Sequence, residues 1–175
     1  APLHGPVWRS NLGDLLDKYQ LWSKYQPEEK GVLVAYASMY GNTEAAANAL
    51  ALALADRGVK NMDVRDVSVT DLSEMISLAW KYSHIVIASP TYNMALHPKM
   101  EHLLLDMKAL NLQNRTVALI ENGSWAPAVI KNATEIFSSM KNISIMEENI
   151  SIKSALHDLA PIEKMADAIV ADLNK

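Results

Sequence analysis

The residues best suited to ligand chemistry lie in one short turn: Ser38, Met39, Tyr40, Gly41, Asn42 and Thr43. An apolar run at residues 32–37 precedes the turn, and an alanine- and leucine-rich stretch at 44–56 follows it. These patterns predict a buried strand and a helix. The first amides of a helix have no internal partners, and the helix dipole adds roughly half a positive charge there. The turn is therefore a candidate anion site.

This turn contains no Lys, Arg or His, so an anion would be held by backbone amides and by the side chains of Ser38, Asn42 and Thr43. Such an uncharged nest suits a terminal phosphate monoester. The P-loop signature GK[ST] and the dinucleotide signature G-x-G-x-x-G are both absent, which argues against a nucleoside triphosphate or a dinucleotide. Taken alone, Gly41 and Thr43 are equally compatible with an ordinary turn and helix cap.

The elements that must position this turn alternate between strand and helix from residue 31 onward. The predicted strands cover residues 32–37, 62–67, 84–88, 116–120 and 143–152. Helices are predicted at 70–80, from Pro98 onward with Met100 and Met107 on its apolar face, from about 126 to 141, and in the last stretch of the chain. Alternation of this kind predicts an α/β fold with a parallel sheet and helices on both faces. The strands at 62–67 and 143–152 mix polar and apolar residues, as edge strands do, and the other three are continuously apolar. The prediction is a flavodoxin-like three-layer sandwich with a five-stranded parallel sheet in the order 2-1-3-4-5.

Two further loops are expected beside the turn, because ligands of such sheets bind at the carboxyl ends of the strands, where the strand order reverses. They read Ser-Pro-Thr-Tyr-Asn-Met at 89–94 and Glu-Asn-Gly-Ser-Trp-Ala-Pro at 121–127. Tyr40, Tyr92 or Trp125 alone would be an ordinary loop aromatic. Three aromatics on convergent loops, beside an uncharged phosphate nest, favour a planar phosphorylated ligand.

Composition limits the other classes of function. A formal charge of -4 over 175 residues leaves no electrostatic footprint for nucleic acid. Zero cysteines exclude disulfides, thiolate catalysis and cysteine-ligated metals, and the five histidines are scattered along the chain. We find neither a signal peptide nor an apolar run long enough to span a bilayer, so we expect a cytoplasmic protein without membrane or nucleic-acid partners.

The amino-terminal part of the chain is different in character. Residues 1–9 are rich in proline and glycine. Apolar residues then recur at helical spacing, at Leu12, Leu15, Leu16, Tyr19 and Trp22. A polar linker at 26–31 separates this predicted helix from the first strand, and we place a domain boundary there.

Three loop sequences, SMYGNT, SPTYN and GSW, resemble the FMN-binding loops of flavodoxin-like proteins. More closely, the chain resembles the carboxy-terminal flavodoxin domain of flavodiiron proteins, the A-type flavoproteins that reduce oxygen or nitric oxide. The specific features are the HGPVWR segment, the helix with Trp22, and the Pro-Glu-Glu-Lys-Gly linker before the strand that enters SMYGNTE. The resemblance covers nearly the whole chain.

In that family an HGP-W segment closes a metallo-β-lactamase-like domain, and its histidine is an iron ligand. The resemblance therefore implies that residues 1–9 are the tail end of a diiron domain that is missing here. His4 would be a metal ligand only in the full-length protein. Residues 10–30 would be an amphipathic helix and linker, and residues 31–175 the FMN-binding domain.

The resemblance also implies FMN as the cofactor, diiron only in the missing domain, and no catalytic residue in this chain. The phosphate and its near side would be held by Ser38, Met39, Tyr40, Gly41, Asn42 and Thr43. The ribityl chain and ring would be lined by Pro90, Thr91, Tyr92 and Asn93. The other side of the isoalloxazine ring would be covered by Gly123, Ser124, Trp125 and Ala126. A nearby carboxylate such as Glu121 would oppose added negative charge on the cofactor and so lower its second reduction potential.

The function implied is electron transfer from a redox donor, such as rubredoxin or another flavoprotein, to the diiron site of an oxygen or nitric oxide reductase. The full-length protein would be a homodimer. A free-standing flavodoxin and a flavodoxin-fold NAD(P)H:quinone reductase remain alternatives. Neither class of protein would have a role for the HGPVWR segment or for the predicted helix that contains Trp22. A flavin-free interface module is a third alternative. A receiver domain does not fit, because Ser38 and Ser89 stand where its acidic residues are needed.

Overall fold

The computed structural model describes residues 4–5 and 7–175 of the chain. The helices in this range are α1 (Leu12–Ser23), α2 (Asn42–Asp56), α3 (Leu72–Lys81), α4 (Pro98–Ala109), α5 (Val129–Ser138) and α6 (Ala160–Leu173). The strands are β1 (Glu29–Tyr36), β2 (Met62–Asp66), β3 (Tyr82–Pro90), β4 (Arg115–Asn122), β5 (Ile143–Ile145) and β6 (Ile150–Ile152). The helices and strands predicted from the sequence are present, with ends that differ by a few residues.

The strands form one parallel sheet in the order β2-β1-β3-β4-β5, and β6 also pairs with β4. The predicted α/β flavodoxin-like fold and strand order are confirmed. The central strands β1, β3 and β4 are buried along most of their length, whereas no residue of β2 is fully buried. The distinction between continuous and alternating apolar patterns therefore located the edge strands.

The predicted fifth strand at 143–152 is wrong in one respect, because it is two short strands rather than one. β5 pairs with the first part of β4, and β6 pairs with its last three residues. Between them the side chain of Asn149 accepts a hydrogen bond from the Leu119 amide at 3.0 Å, replacing a strand carbonyl. The adjacent residues Glu147 and Glu148 favour exposure to solvent, which interrupts the pairing of this segment with β4. Both segments lie beside β4, so the topology is unchanged.

Apolar side chains cover the sheet on both faces. Helices α3, α4 and α5 bury theirs on one face, where Met100 and Met107 are core residues, as their helical spacing predicted. Helices α2 and α6 bury theirs on the other face. This arrangement leaves the loops at the carboxyl ends of the strands free to form a site.

Helix α5 begins at Val129, three residues later than its predicted start near 126. Ala126 lies in the left-handed region with φ of 47°, which no α-helix accommodates. The delayed start leaves residues 123–128 as a loop at the end of β4.

Helix α1 carries the predicted apolar spacing, but none of its residues is buried. Leu12, Leu16 and Tyr19 are each more than half exposed. Asn11 stands at the start of the helix in a left-handed conformation and makes no side-chain cap. The predicted tail at 1–9 falls partly on residues 1–3 and 6, outside the described residues, and His4 is exposed. The proposed domain boundary at 26–31 stays a prediction; β1 already begins within it, at Glu29.

The connection from α1 to the sheet is held in part by Arg115, whose side chain is almost completely buried. The guanidinium group donates hydrogen bonds to the carbonyl oxygens of Tyr25, Ala79 and Trp80 at 2.7–3.0 Å. Burial lowers the pKa of Arg115 to about 10. The Tyr25 ring also packs on Trp80, with 5.6 Å between ring centroids. The end of α1 is thus fixed to α3 and β4.

Candidate functional site

A cleft of about 490 Å³ lies at the carboxyl edge of the sheet. Its lining residues come from the three predicted loops and from one further segment: Ser38, Met39, Tyr40, Asn42, Thr43, Pro90, Thr91, Asn93, Met94, Asn122, Gly123, Ser124, Trp125, Ala126 and Ser154. All the residues predicted to bind the cofactor, except Gly41 and Tyr92, line it. The structure therefore brings the predicted residues together; whether they bind a cofactor stays a prediction at this point.

The first wall is the turn at 38–43, which ends in the amino terminus of α2. Ser38 Oγ accepts a hydrogen bond from the Gly41 amide at 3.0 Å and closes the turn. Gly41 has φ of 82°, a conformation that favours glycine, and it precedes the helix without capping it by a side chain. The first amides of α2 therefore remain for a ligand. Gly41 shapes this wall although it does not line the cleft.

The second wall is a two-residue hairpin turn after β3. The amide and carbonyl groups of Tyr92 and Ala95 exchange hydrogen bonds of 3.0 and 2.9 Å. The central residues, Asn93 and Met94, both have positive φ, 48° and 65°, as in a type I′ turn. Asn132 on α5 donates a side-chain hydrogen bond to the Met94 carbonyl at 2.9 Å. This anchor holds the turn against α5 and leaves the Met94 side chain largely exposed at the cleft.

The third wall is the loop between β4 and α5, which packs directly on the second. A Cβ on Gly123 would lie 3.1 Å from Thr91 Oγ1, so this position admits no larger residue without movement. Thr91 Oγ1 also accepts a hydrogen bond from the Ala128 amide at 3.1 Å. The Trp125 ring is 86% exposed and is therefore free to cover a ligand rather than fill the core.

A fourth segment, which the sequence did not predict, follows β6. The Asn122 side chain donates to the Ser154 carbonyl at 2.8 Å and accepts from the Ser154 amide at 3.1 Å. Met94 and Asn122 lie inside the loops singled out from the sequence. No motif marks Ser154, and only the long-range pairing of β6 with β4 brings it to the cleft.

Backbone strain is concentrated around this cleft. Met94, Ala126 and Ser154 all have positive φ although they are neither glycine nor asparagine, and each lies in a different wall. Such residues cost about 1–3 kcal/mol each and cluster at functional sites. The walls are therefore held in one conformation by their surroundings.

The cleft is electrically neutral in its lining, since no Asp, Glu, Lys, Arg or His lines it among the described residues. Glu121 is buried at the end of β4 behind the third wall. Its Oε2 accepts a hydrogen bond from the Ile130 amide at 3.1 Å, so it caps α5. An anionic ligand would therefore meet amide and hydroxyl donors and no carboxylate in the wall itself.

Among the described residues, the histidines form no metal-binding site that would compete with the cleft. His84 is buried and satisfied, with Nε2 3.1 Å from Asp172 and Nδ1 2.9 Å from Ser83. In the described part of the chain, no three His, Cys, Asp or Glu side chains are grouped as a metal site would need. None of the helices described is long and apolar enough to cross a membrane.

Comparison with known proteins agrees with this geometry. The family model named Flavodoxin matches residues 34–143. The chain belongs to the flavodoxin family. The match spans the turn at 38–43, the hairpin turn at 92–95 and the loop at 123–128, and so includes the three predicted walls of the cleft.

The relatives confirm the predicted resemblance to flavodiiron proteins. A nitric oxide reductase of Moorella thermoacetica is 28% identical over 153 residues, which are 87% of this chain and 38% of that protein. The flavodiiron protein from Giardia intestinalis superposes with a TM-score of 0.83 at 22% identity, over 97% of this chain and 42% of that one. An archaeal flavodoxin superposes with a TM-score of 0.71 at 20% identity, over 83% of this chain and 99% of that one. The chain thus spans about two fifths of the length of the curated relatives it matches first.

Membership of this family implies FMN, and the residues present fit that group. The turn at 38–43 supplies free helix amides and the hydroxyl groups of Ser38 and Thr43 for a phosphate. Tyr40 and Trp125 are each more than 80% exposed and offer flat surfaces for a ring. The neutral lining places no negative side chain against the phosphate. FMN supplies electron-transfer chemistry when bound, and the protein supplies binding and tuning.

Proposed function

We propose that this chain is an FMN-binding electron-transfer domain that passes electrons from a redox partner to the diiron site of a flavodiiron oxygen or nitric oxide reductase. The observation that carries the proposal is the neutral cleft in which an uncharged phosphate nest and two aromatic-bearing loops meet. In this role the enzyme is the full-length oxidoreductase, and this chain alone is an electron carrier.

The proposed residue roles follow from the walls of the cleft. The turn at 38–43 holds the phosphate through the amides of α2. The second wall, with Pro90, Thr91 and Asn93, lines the ribityl chain and ring, and the loop at 123–126 covers the other face. These residues bind and orient the cofactor and exclude water from it, and none of them needs to exchange a proton with a substrate.

The relatives support the assignment to a flavodiiron enzyme. Two of them, a nitric oxide reductase and a flavodiiron protein, are longer proteins of which this chain covers 38% and 42%. We infer that a diiron domain accompanies this chain, with His4 as one of its ligands, and that the full-length protein is a cytoplasmic homodimer. The donor is a rubredoxin or another flavoprotein.

The second candidate is a free-standing flavodoxin or a flavodoxin-fold NAD(P)H:quinone reductase. The likeness to an archaeal flavodoxin, which this chain covers over 99% of its length, supports the first of these. A free-standing flavodoxin does not account for helix α1, which is fixed to the domain by Arg115 and is largely exposed.

Two anaerobic reactions separate an electron carrier, whether part of a longer protein or free-standing, from the quinone reductase. In the first, reduced rubredoxin is mixed with the oxidised FMN-loaded chain in a stopped-flow experiment, and an electron carrier is reduced at a rate proportional to the rubredoxin concentration. The same preparation is then given NADPH or NADH with a quinone. Catalytic turnover there, well above that of free FMN, would contradict the carrier function and support the quinone reductase.

A further inference from the structure

Ser154 is held at the cleft by the Asn122 side chain, whose hydrogen bonds all go to Ser154. Asn122 is buried, and both the oxygen and the nitrogen of its side-chain amide hydrogen-bond to the backbone of Ser154. The Gly123 amide donates to the Ile152 carbonyl at 3.0 Å, which continues the pairing of β4 with β6 into the loop. The segment after β6 is therefore fixed relative to the third wall.

The conformation of Ser154 is costly, and its hydroxyl group is free. Its φ of 68° is unfavourable for serine, by roughly 1–2 kcal/mol. Asn122 occupies both its amide and its carbonyl, so Oγ is its remaining polar atom. Within the described part of the chain, this hydroxyl has no hydrogen-bond partner. Ser154 is exposed, so this hydroxyl meets solvent unless a ligand in the cleft that Ser154 lines takes its place.

The strand order places Ser154 at the end of the cleft away from the phosphate nest. The nest follows β1, the hairpin turn follows β3, the third wall follows β4, and Ser154 follows β6. Three strand spacings, about 14 Å, separate β1 from β6. The loop after β2 contributes no lining residue, so a ligand with its phosphate at β1 extends toward β6.

We propose that Ser154 is a fourth binding residue of this site, whose hydroxyl hydrogen-bonds the polar edge of the ring at the end of the ligand opposite the phosphate. Asn122 is the residue that positions it. This inference rests on the proposed FMN function and adds a specific contact to it. The ligand it selects is a planar heterocycle with carbonyl and N–H groups at its distal edge, since a purely apolar edge would leave the hydroxyl unpaired.

The first test compares FMN dissociation constants by fluorescence quenching in Ser154→Ala and Ser154→Gly. Alanine keeps the unfavourable φ and glycine relieves it, but both remove the hydroxyl group. A lost neutral hydrogen bond predicts affinity about 3- to 10-fold weaker in both variants. Ser151→Ala, an exposed hydroxyl on β6 that does not line the cleft, is the matched control and should bind as the parent protein does. Unchanged affinity in both Ser154 variants would overturn the inference.

The second test locates the contact on the ligand. FMN labelled with ¹⁵N and ¹³C in its pyrimidine ring is bound to the parent protein and to Ser154→Ala. The ring-edge resonances should shift between the two, and the ³¹P resonance of the phosphate should not. A shift confined to ³¹P would overturn the proposed position of Ser154.

The role of Asn122 is tested by a double-mutant cycle. Asn122→Asp keeps an acceptor for the Ser154 amide but removes the donor to its carbonyl. If Asn122 acts through Ser154, this change weakens FMN binding less in the Ser154→Ala background than in the parent. Equal effects in both backgrounds would contradict a positioning role. Failure of the parent protein to bind FMN would instead refute the proposed function itself.

Discussion

Thr91 and Gly123 lie close together in the lining of the cleft, since a Cβ added to Gly123 would be only 3.1 Å from Thr91 Oγ1. The same oxygen accepts the Ala128 amide at 3.1 Å and thereby fixes the loop before α5. The Thr91 hydroxyl group and the absence of a side chain on Gly123 therefore allow the second and third walls to pack closely.

Gly123→Ala should consequently push these walls apart. The added methyl group overpacks the contact, which costs roughly 1–3 kcal/mol, and we expect both a lower unfolding midpoint in urea and a several-fold weaker FMN affinity. Gly13→Ala is the control, because a Cβ there meets nothing within 4 Å. If Gly123→Ala bound FMN as tightly as the parent, the contact would not determine the shape of the cleft.

Gly41→Ala tests the phosphate nest. With φ of 82°, alanine at this position is strained, and the amides that follow it move. We expect FMN affinity to fall more than riboflavin affinity, because only FMN carries the phosphate. Gly58 has φ of 86° at the other end of α2, so Gly58→Ala is equally strained but remote from the cleft. Equal losses of FMN affinity in the two variants would argue against a nest at 38–43.

Glu121→Gln tests electrostatic tuning of the cofactor. Glutamine keeps a carbonyl oxygen for the Ile130 amide, so the cap of α5 is retained while the negative charge is removed. Loss of a buried charge near the cleft should raise the second reduction potential in an anaerobic redox titration. An unchanged potential would limit Glu121 to capping α5.

Arg115→Leu should destabilise the protein and loosen α1. The change removes the guanidinium donor from the carbonyl groups of Ala79, Trp80 and Gln113, which predicts a loss of at least about 3 kcal/mol in urea unfolding. Amide exchange in residues 12–25 should also accelerate. Arg57→Leu, which breaks exposed ion pairs with Glu163 and Asp167, is the comparison and should cost less. Slow exchange in α1 of Arg115→Leu would show that other contacts hold the helix.

His84 should make stability depend on pH. Its burial lowers its pKa below 6.5, despite the neighbouring Asp172 carboxylate. The unfolded chain therefore binds this proton more readily, so the contribution of neutral His84 is complete above pH 6.5 and is lost as the pH falls through the lower folded pKa. One such group changes stability by at most about 1.4 kcal/mol per pH unit. Urea unfolding between pH 7.5 and 5 should show a shallower pH dependence in His84→Gln, and identical slopes would contradict the assignment.

The sequence was informative where structure is decided locally. The turn at 38–43 lies between a continuous apolar strand and an alanine-rich helix, and both patterns are visible within a short window. Strand order followed from the polar residues of β2 and of the segment at 143–152. These two features sufficed for the fold and for three walls of the cleft.

Features that depend on distant contacts could not be predicted in this way. Ser154 reaches the cleft through the Asn122 side chain and the pairing of β6, which no local pattern encodes. The burial of Arg115 likewise depends on carbonyl groups from α3 and the linker, whereas arginine is ordinarily a surface residue. The start of α5 was misplaced because Ala126 gives no sign in sequence of its left-handed conformation.

The visible absorption spectrum of the purified chain shows whether this cleft holds FMN. The chain is incubated with FMN, desalted, and its spectrum recorded before and after denaturation releases the ligand. We expect retained oxidised-flavin bands with a released cofactor identified as FMN, and loss of those bands in Gly41→Ala at the same concentration. A colourless protein that also fails to quench FMN fluorescence would show that the cleft does not bind FMN and would leave the domain as a flavin-free interface module.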